Sequence, residues 1–267
     1  MTKRPLVMGV INVTPDSFSD GGLVSSPQSA IGRAAAMAAE DADWLDVGGE
    51  STRPGATPVA DTEELARVVP AIAAIRARCD LPISVDTMKP AVARAAVAAG
   101  ATMWNDVTAL DGTPESLETA AALNCDVVLM HMLGRPATMQ DNPRYDDVVA
   151  DVTDFLAGRA RAAIAAGVAP GRIWLDPGLG FGKTTAHNLA LLRGLKQIVG
   201  LGYPVMVGGS RKGMIRALDP AAAEASDRLG GSIAVALAAA RAGVAMIRVH
   251  DVRETVQALT IAHAIHG

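Results

Sequence analysis

The chain has 267 residues, with 28 acidic against 24 basic side chains and a formal net charge of −4. That balance gives no basic footprint for nucleic acid, and 3% aromatic residues leave little for base stacking. Half of the residues are hydrophobic, enough for a large core, yet no apolar run reaches the roughly 18 residues of a membrane span.

In chain order, short apolar runs cover residues 6–12, 44–50, 83–86, 102–106, 127–131, 173–176, 205–212 and 246–251. The first begins so early that no room is left for a secretory leader, and a cytoplasmic location is expected. Ser26-Pro27 predicts an N-cap and first turn of a helix running to about Asp41. Asp61, with Glu63 and Glu64, opens the second helix with acidic residues at its positive end. Thr113-Pro114 opens the fourth in the manner of the first, and Gly100 and Gly167 read as C-terminal caps. A half-buried strand alternates polar and apolar residues. These runs are nearly all apolar, which suits strands covered on both faces. Eight such runs alternating with alanine-rich helical stretches predict an α/β fold, a single (β/α)8 TIM barrel over residues 1–267. Connections from helix to strand look short, at residues 42–43, 100–101 and 124–125. Three from strand to helix are long, at 13–26, 51–62 and 133–144. Length on that side only places a site at the C-terminal face, although surface insertion would leave the same trace.

Each run ends on a polar head: Asn12, Glu50, Asp86, Asp106, His131, Asp176, Lys212 and Asp251. Familiar motifs are missing. In Gly178-Leu-Gly-Phe-Gly-Lys-Thr184 the place of the first Walker A glycine is Pro177, and the glycine spacing also fails the dinucleotide fingerprint. Cys79 and Cys125 form neither a metal spacing nor a disulfide framework and are expected to be reduced thiols. His263 and His266 read as solvated helix residues.

Asp46, Asp86, Asp106 and Asp176 lie at or near strand ends. One such Asp often merely caps the following helix. Four directed at one mouth, with Asn105, suit a ligand rich in N–H donors. Arg211, Lys212, Arg248 and His250 stand opposite and suit a phosphate or diphosphate. The neutral oxygen of Asn12 could help hold Mg²⁺ on that group.

At this point the motifs become specific. Asn12-Val-Thr-Pro-Asp-Ser-Phe-Ser-Asp-Gly-Gly22 and Gly48-Gly-Glu-Ser-Thr-Arg-Pro-Gly55 resemble the first two signatures of the dihydropteroate synthase family of pterin-binding enzymes. Ser84-Val-Asp-Thr87, Asn105-Asp106, Met130-His-Met132, Asp176-Pro-Gly-x-Gly-Phe-Gly-Lys183, Ser210-Arg-Lys212 and Arg248-Val-His-Asp251 follow in the family's order. The resemblance covers essentially the whole chain. It implies a transferase of folate biosynthesis, inhibited by sulfonamides, that joins 6-hydroxymethyl-7,8-dihydropterin diphosphate to 4-aminobenzoate and releases diphosphate.

Carried over by motif, Asp86, Asn105, Asp176 and Lys212 would bind the pterin, with Val107 and Met130 packed on it. Arg248 and His250 would hold the diphosphate, and Asn12 would reach Mg²⁺. Thr52, Arg53, Phe181 and Ser210 would shape the aminobenzoate pocket. Asp86, Lys212 and Arg248 would carry the chemistry, by a largely dissociative displacement with no covalent enzyme intermediate. Many members carry serine after Ser-Arg-Lys; here it is Gly213, which puts the strength of aminobenzoate binding in question. The first two loops, with Phe18 on the first, would close over bound diphosphate. The family's usual homodimer would pack residues 230–242, although a buried helix face explains their composition equally well. No nucleic-acid or membrane partner is expected. Two other readings stay open. A pterin-binding methyltransferase domain shares the barrel but needs neither the diphosphate grip nor the Asp-Ser-Phe-Ser-Asp-Gly-Gly loop. A non-catalytic pterin-binding relative would be expected to lack Asn12, Arg53, Lys212 or Arg248.

Overall fold

A computed structural model describes residues 4–14, 27–53 and 55–266. Strands form where the apolar runs fall: β1 Leu6–Asn12, β2 Trp44–Gly48, β3 Ile83–Asp86, β4 Met103–Asp106, β5 Asp126–Met130, β6 Ile173–Asp176, β7 Met206–Val207 and β8 Met246–Val249. The helices are α1 Pro27–Ala39, α2 Asp61–Arg76, α3 Pro90–Ala98, α4 Ser116–Leu123, α5 Val148–Ala165, α6 Thr185–Val199, α7 Gly213–Leu218, α8 Leu229–Ala242 and α9 Val252–His266. The strands pair in parallel in the order β6-β5-β4-β3-β2-β1-β8-β7. One bridge, Leu175 to Val205, joins β6 to the start of β7, where the Leu175 amide donates to the Pro204 carbonyl at 3.0 Å. The sheet is thereby an α/β TIM barrel with its helices outside.

The apolar runs lack alternation because both strand faces are covered. Outward residues such as Val7, Ile11, Leu45, Val85, Val127 and Leu175 join the large core under the helices. Inward residues Met8, Met103, Val128, Met206 and Met246 form a separate cluster, with Leu6, Trp44 and Trp174 against it. This cluster is the barrel floor. Side chains alternate faces along a strand, so the next inward residue lies two positions on. Trp44 is followed by Asp46, Met103 by Asn105, Val128 by Met130, Trp174 by Asp176 and Met246 by Arg248. The polar heads therefore share one layer, directly above an apolar floor.

The expected caps form at Gly100 and Gly167. Their φ angles are +115° and +108°, and the following amides of Ala101 and Val168 reach back to Ala96 and Ala163 at 3.0 Å. Two expectations are corrected. Helix α4 starts at Ser116, because Thr113 Oγ1 bonds Ser116 Oγ at 3.0 Å and holds Pro114 in a turn before the helix. The run 205–212 is extended only through Val207. A Cβ at Gly209 would lie 2.4 Å from Val235 Cγ1, and Arg211 has φ of +58°, so the chain packs onto α8 and turns across the mouth. Smaller overshoots leave Glu50, His131 and Asp251 just beyond their strands. Residues 15–26, with Phe18 and Ser26 and most of the first long loop, lie outside the described residues, as does Pro54. Cys79 and Cys125 are free thiols. No described helix is long and apolar enough to cross a membrane.

Candidate active site

A cleft of about 1060 Å³ opens at the C-terminal mouth, and Asn12, Thr52, Arg53, Asp86, Phe181, Ser210, Lys212, Arg248 and His250 all line it. Asn105, Val107, Met130 and Asp176 do not line this cleft. They are buried at the strand ends, each 3% or 4% exposed.

Arg248 sits at the centre of the charge arrangement. Its Nε donates to Asp46 Oδ2 at 2.6 Å and its Nη2 to Asp86 Oδ2 at 2.8 Å. Asn105 Nδ2 also approaches Asp46 Oδ2, at 3.3 Å. Asp46 Oδ1, Asp86 Oδ1 and Ser84 Oγ are buried with no hydrogen-bond partner. Unpaired buried acceptors of this kind are costly unless a donor reaches them. Burial pushes the Asp86 carboxyl up, and the Arg248 charge opposes that rise. Asp176 Oδ1 accepts the Gly178 amide at 2.7 Å; burial pushes its carboxyl up as well, against that hydrogen bond and the charge of Lys212.

Lys212 Nζ stands 4.2 Å from the centre of the Phe181 ring, a cation–π contact. Burial and repulsion from Arg248 lower its pKa to about 8. His250 Nδ1 lies 3.1 Å from Ser210 Oγ. Burial, then the charges of Arg248, Arg211, Arg53 and Lys212, push His250 down to about 3. Those neighbouring charges favour the neutral imidazole.

Two residues of the expected clusters are bound to neighbouring protein groups, although Arg211 also lines the cleft. Asp106 organises the turn after β4, with Oδ1 accepting from the Thr108 amide and hydroxyl at 2.8 Å and Oδ2 from the Leu110 amide at 2.9 Å. This is the capping role available to any strand-end Asp. Arg211 is held by Asp251 through contacts of 2.5 and 3.1 Å. Its amide donates to Ser232 Oγ at 2.9 Å, and Arg228 Nη1 donates to its carbonyl at 3.0 Å. These bonds hold the left-handed backbone at Arg211, which aims Ser210 and Lys212 at the cleft.

A buried pair at the cleft, Lys183 and His131, was not singled out as functional by the sequence. Lys183 Nζ meets His131 Nδ1 at 2.8 Å and the carbonyls of His131 and Phe181 at 3.2 and 3.0 Å. Burial lowers Lys183 to about 7 and His131 to about 3. The pair ties the Gly-rich segment to the end of β5, and its only sequence signal was membership of the two motifs. That segment follows a glycine pattern for closeness: Cβ atoms at Gly178 and Gly182 would lie 2.0 Å from the His131 carbonyl oxygen and 2.4 Å from that of Leu133. Gly213 opens α7 with nothing within 4 Å of its Cβ direction, so the family's more usual serine would fit there.

For Mg²⁺, the described residues hold no group of three or more His, Cys, Asp or Glu placed to bind a metal ion among themselves. A Cβ at Gly48 would lie 3.8 Å from Asn12 Oδ1 and 3.7 Å from Asp86 Oδ2, so that glycine leaves open the space between them. One neutral protein oxygen suits a cation carried mainly by diphosphate and water.

A family profile described as pterin binding enzyme matches residues 8–250. The dihydropteroate synthase of Escherichia coli (strain K12) is 47% identical over 261 residues, 98% of this chain and 92% of the relative. The structure of the Yersinia pestis dihydropteroate synthase with a sulfonamide drug complex superposes with a TM-score of 0.94 at 46% identity, covering 98% of this chain and 94% of that one. The Xanthomonas albilineans dihydropteroate synthase in complex with 7,8-dihydropteroate gives a TM-score of 0.89 at 47% identity, covering 100% and 96%.

Proposed function

This chain belongs to the pterin binding enzyme family, and from that footing we propose that it condenses 6-hydroxymethyl-7,8-dihydropterin diphosphate with 4-aminobenzoate, giving 7,8-dihydropteroate and diphosphate in folate biosynthesis. The observation that carries this reading is the layered mouth. Buried acceptors on Asp46 and Asp86, two of them unpaired, lie beside Arg248, Lys212 and His250. Such a mouth suits a heterocycle with N–H donors on one side and a diphosphate on the other. Relatives solved with 4-aminobenzoic acid and with 7,8-dihydropteroate support one of these substrates and the product.

In this reading the pterin enters above the floor. Asp176 takes its amino-pyrimidinone N–H groups through the oxygen not used by Gly178, and Asn105 and Asp86 complete the edge. Met130 and Val107 pack against the ring, and Lys212 meets its acceptor side. Arg248 and the His250 N–H receive the diphosphate and stabilise it as it leaves. The carboxylates of Asp86 and Asp176 favour the positive charge that the dihydropterin ring spreads over its exocyclic carbon. The neutral amine of 4-aminobenzoate, placed by Thr52, Arg53, Phe181 and Ser210, attacks that carbon and then loses a proton. Asn12 would help hold Mg²⁺ at the diphosphate, where the ion would supply further neutralisation of the leaving group.

The direct experiment incubates the purified protein with both substrates and Mg²⁺. Dihydropteroate by mass spectrometry, in step with diphosphate release and inhibited by a sulfonamide in competition with 4-aminobenzoate, is the expected result. Diphosphate release without a dihydropteroate product would remove the synthase reading. Two further parts of the proposal are a cytoplasmic location, which suits two free thiols, and a homodimer. The latter is supported by Ile261 and Ile265 of α9, 56% and 67% exposed, near the small residues of α8. Sedimentation as a monomer at working concentration would count against it.

A further inference from the structure

The second long loop leaves the barrel after Gly48 and returns at Asp61, carrying Thr52 and Arg53 to the cleft. Its neck is tied by residues that have no assigned part in the proposed reaction, although Glu50, Val59 and Arg67 line the cleft. Glu50 Oε1, at the start of the loop, accepts the amide of Val59, at its end, at 3.0 Å. Lys89 then crosses the neck. Its Nζ donates to the Val59 carbonyl, lies 2.9 Å from Glu50 Oε2, and reaches Glu64 Oε2 on α2 at 2.7 Å. Arg67, one turn along α2, donates to the Gly49 carbonyl at 2.8 Å. Glu64 is fully buried and Glu50 nearly so. Lys89 itself does not line the cleft.

Two carboxylates and one ammonium at a loop neck are more than a surface ion pair. Lone exposed pairs contribute little, but here each carboxylate is withdrawn from water and would be left uncompensated without the lysine. The bonds also meet both ends of the loop and the helix behind it, so the loop leaves the barrel from a fixed frame. Lys89 stands three residues beyond Asp86, its amide donating to Thr87 Oγ1 at 3.2 Å, so the same β3–α3 turn sets the pterin-side carboxylate and the loop neck. We propose that Lys89 is a positioning residue for the second substrate: by closing the neck through Glu50, Glu64 and Val59, it sets where Thr52 and Arg53 meet 4-aminobenzoate. The inference rests on the synthase reading for its substrate but not for its mechanical content.

Two variants, Lys89→Met and Glu64→Gln, and the conservative Lys89→Arg test it. In Lys89→Met, KM for 4-aminobenzoate should rise roughly tenfold, a scale that a loop misplaced by an ångström can reach, with KM for the pterin diphosphate little changed. Lys89→Arg, whose fork can span both carboxylates, should recover most of that rise. Glu64→Gln keeps the shape, removes one charge, and should show the same selective change to a smaller degree if Lys89→Met does not fold. A merely structural role predicts a lower Tm with both KM values unchanged, and that outcome overturns the proposal. Hydrogen exchange is read on the same proteins without substrates. Faster exchange confined to residues 51–59 in Lys89→Met supports the clamp even if the wild-type protein makes no dihydropteroate. Unchanged exchange there, with an active wild type, overturns the clamp and leaves the synthase reading standing.

Discussion

Asp176 holds the protein and faces the ligand with different oxygens. Oδ1 accepts the Gly178 amide at 2.7 Å, which shapes the turn after β6. In Asp176→Asn the side-chain oxygen can keep that bond, so the new NH₂ faces the N–H edge of the pterin, donor against donor. Pterin affinity should fall roughly 10- to 100-fold with the fold intact. Calorimetry with a pterin measures this, and unchanged affinity would take Asp176 out of the site. Lys212 gives a pH dependence of known sign. Its pKa is lowered to about 8 by burial and by Arg248. The cation is therefore present below that value and lost as pH rises through it. Affinity for the pterin diphosphate, whose ring acceptors Lys212 meets in the proposed site, should weaken across that range. In Lys212→Arg, charged to far higher pH, this limb should disappear. Titrations of both proteins between about pH 6.5 and 9.5 compare them directly, since ionisation of the diphosphate itself is common to both. Parallel curves would show that Lys212 is not the titrating group.

The Gly-rich element after β6 is a spacer for close backbone approach. Gly182 has φ of +62°, and its Cβ would press on the Leu133 carbonyl oxygen, which is backbone and cannot yield cheaply. Gly182→Ala should cost more than about 1 kcal/mol and also displace Phe181 and Lys183, so activity falls with Tm. Equal Tm and KM values in the variant would contradict this. Such elements mark what the sequence could and could not disclose. Strand positions were legible because burial on both faces demands nearly continuous apolar runs; β1, β3 and β6 match their runs residue for residue. The end of β7 was not, because residues 208–212 read as a continuation of the run while Val235 and the Arg211 turn redirect the chain. Thr113-Pro114 has the chemistry of a helix start, and only the Thr113–Ser116 contact shows that the helix waits two residues. At the site, Asp46, Asp86 and Asp176 were legible as inward heads. Asp106 was not separable from them, since its partners are amides of a turn whose path the sequence does not specify. The Lys89 clamp was invisible for the same reason: its partners lie 25 to 39 positions away, and 25 of these separate it from Glu64.

At the scale of the whole molecule, the barrel separates stability from chemistry by height. The floor is made of Val128 and four methionines, Met8, Met103, Met206 and Met246, whose flexible side chains fill an irregular interior. The mouth begins one inward position higher, where Arg248 follows Met246 on the same strand and bridges Asp46 and Asp86. Substitutions two residues apart on β8 should therefore have opposite signatures. Met246→Ala opens a cavity in a fully buried layer and should cost about 2–5 kcal/mol. For a chain of this size that is a fall in Tm of roughly 2–4 °C per kcal/mol, with KM for both substrates nearly unchanged. Arg248→Ala removes the group that faces the diphosphate and leaves two buried carboxylates without their cation. It should abolish most of the turnover and raise KM for the pterin diphosphate, a kinetic loss that Met246→Ala should not show. Paired thermal melts and steady-state kinetics on the two variants test the separation. If Met246→Ala raised KM as strongly as it lowered Tm, floor and mouth would be one mechanical unit, and the layered account of the barrel would fail.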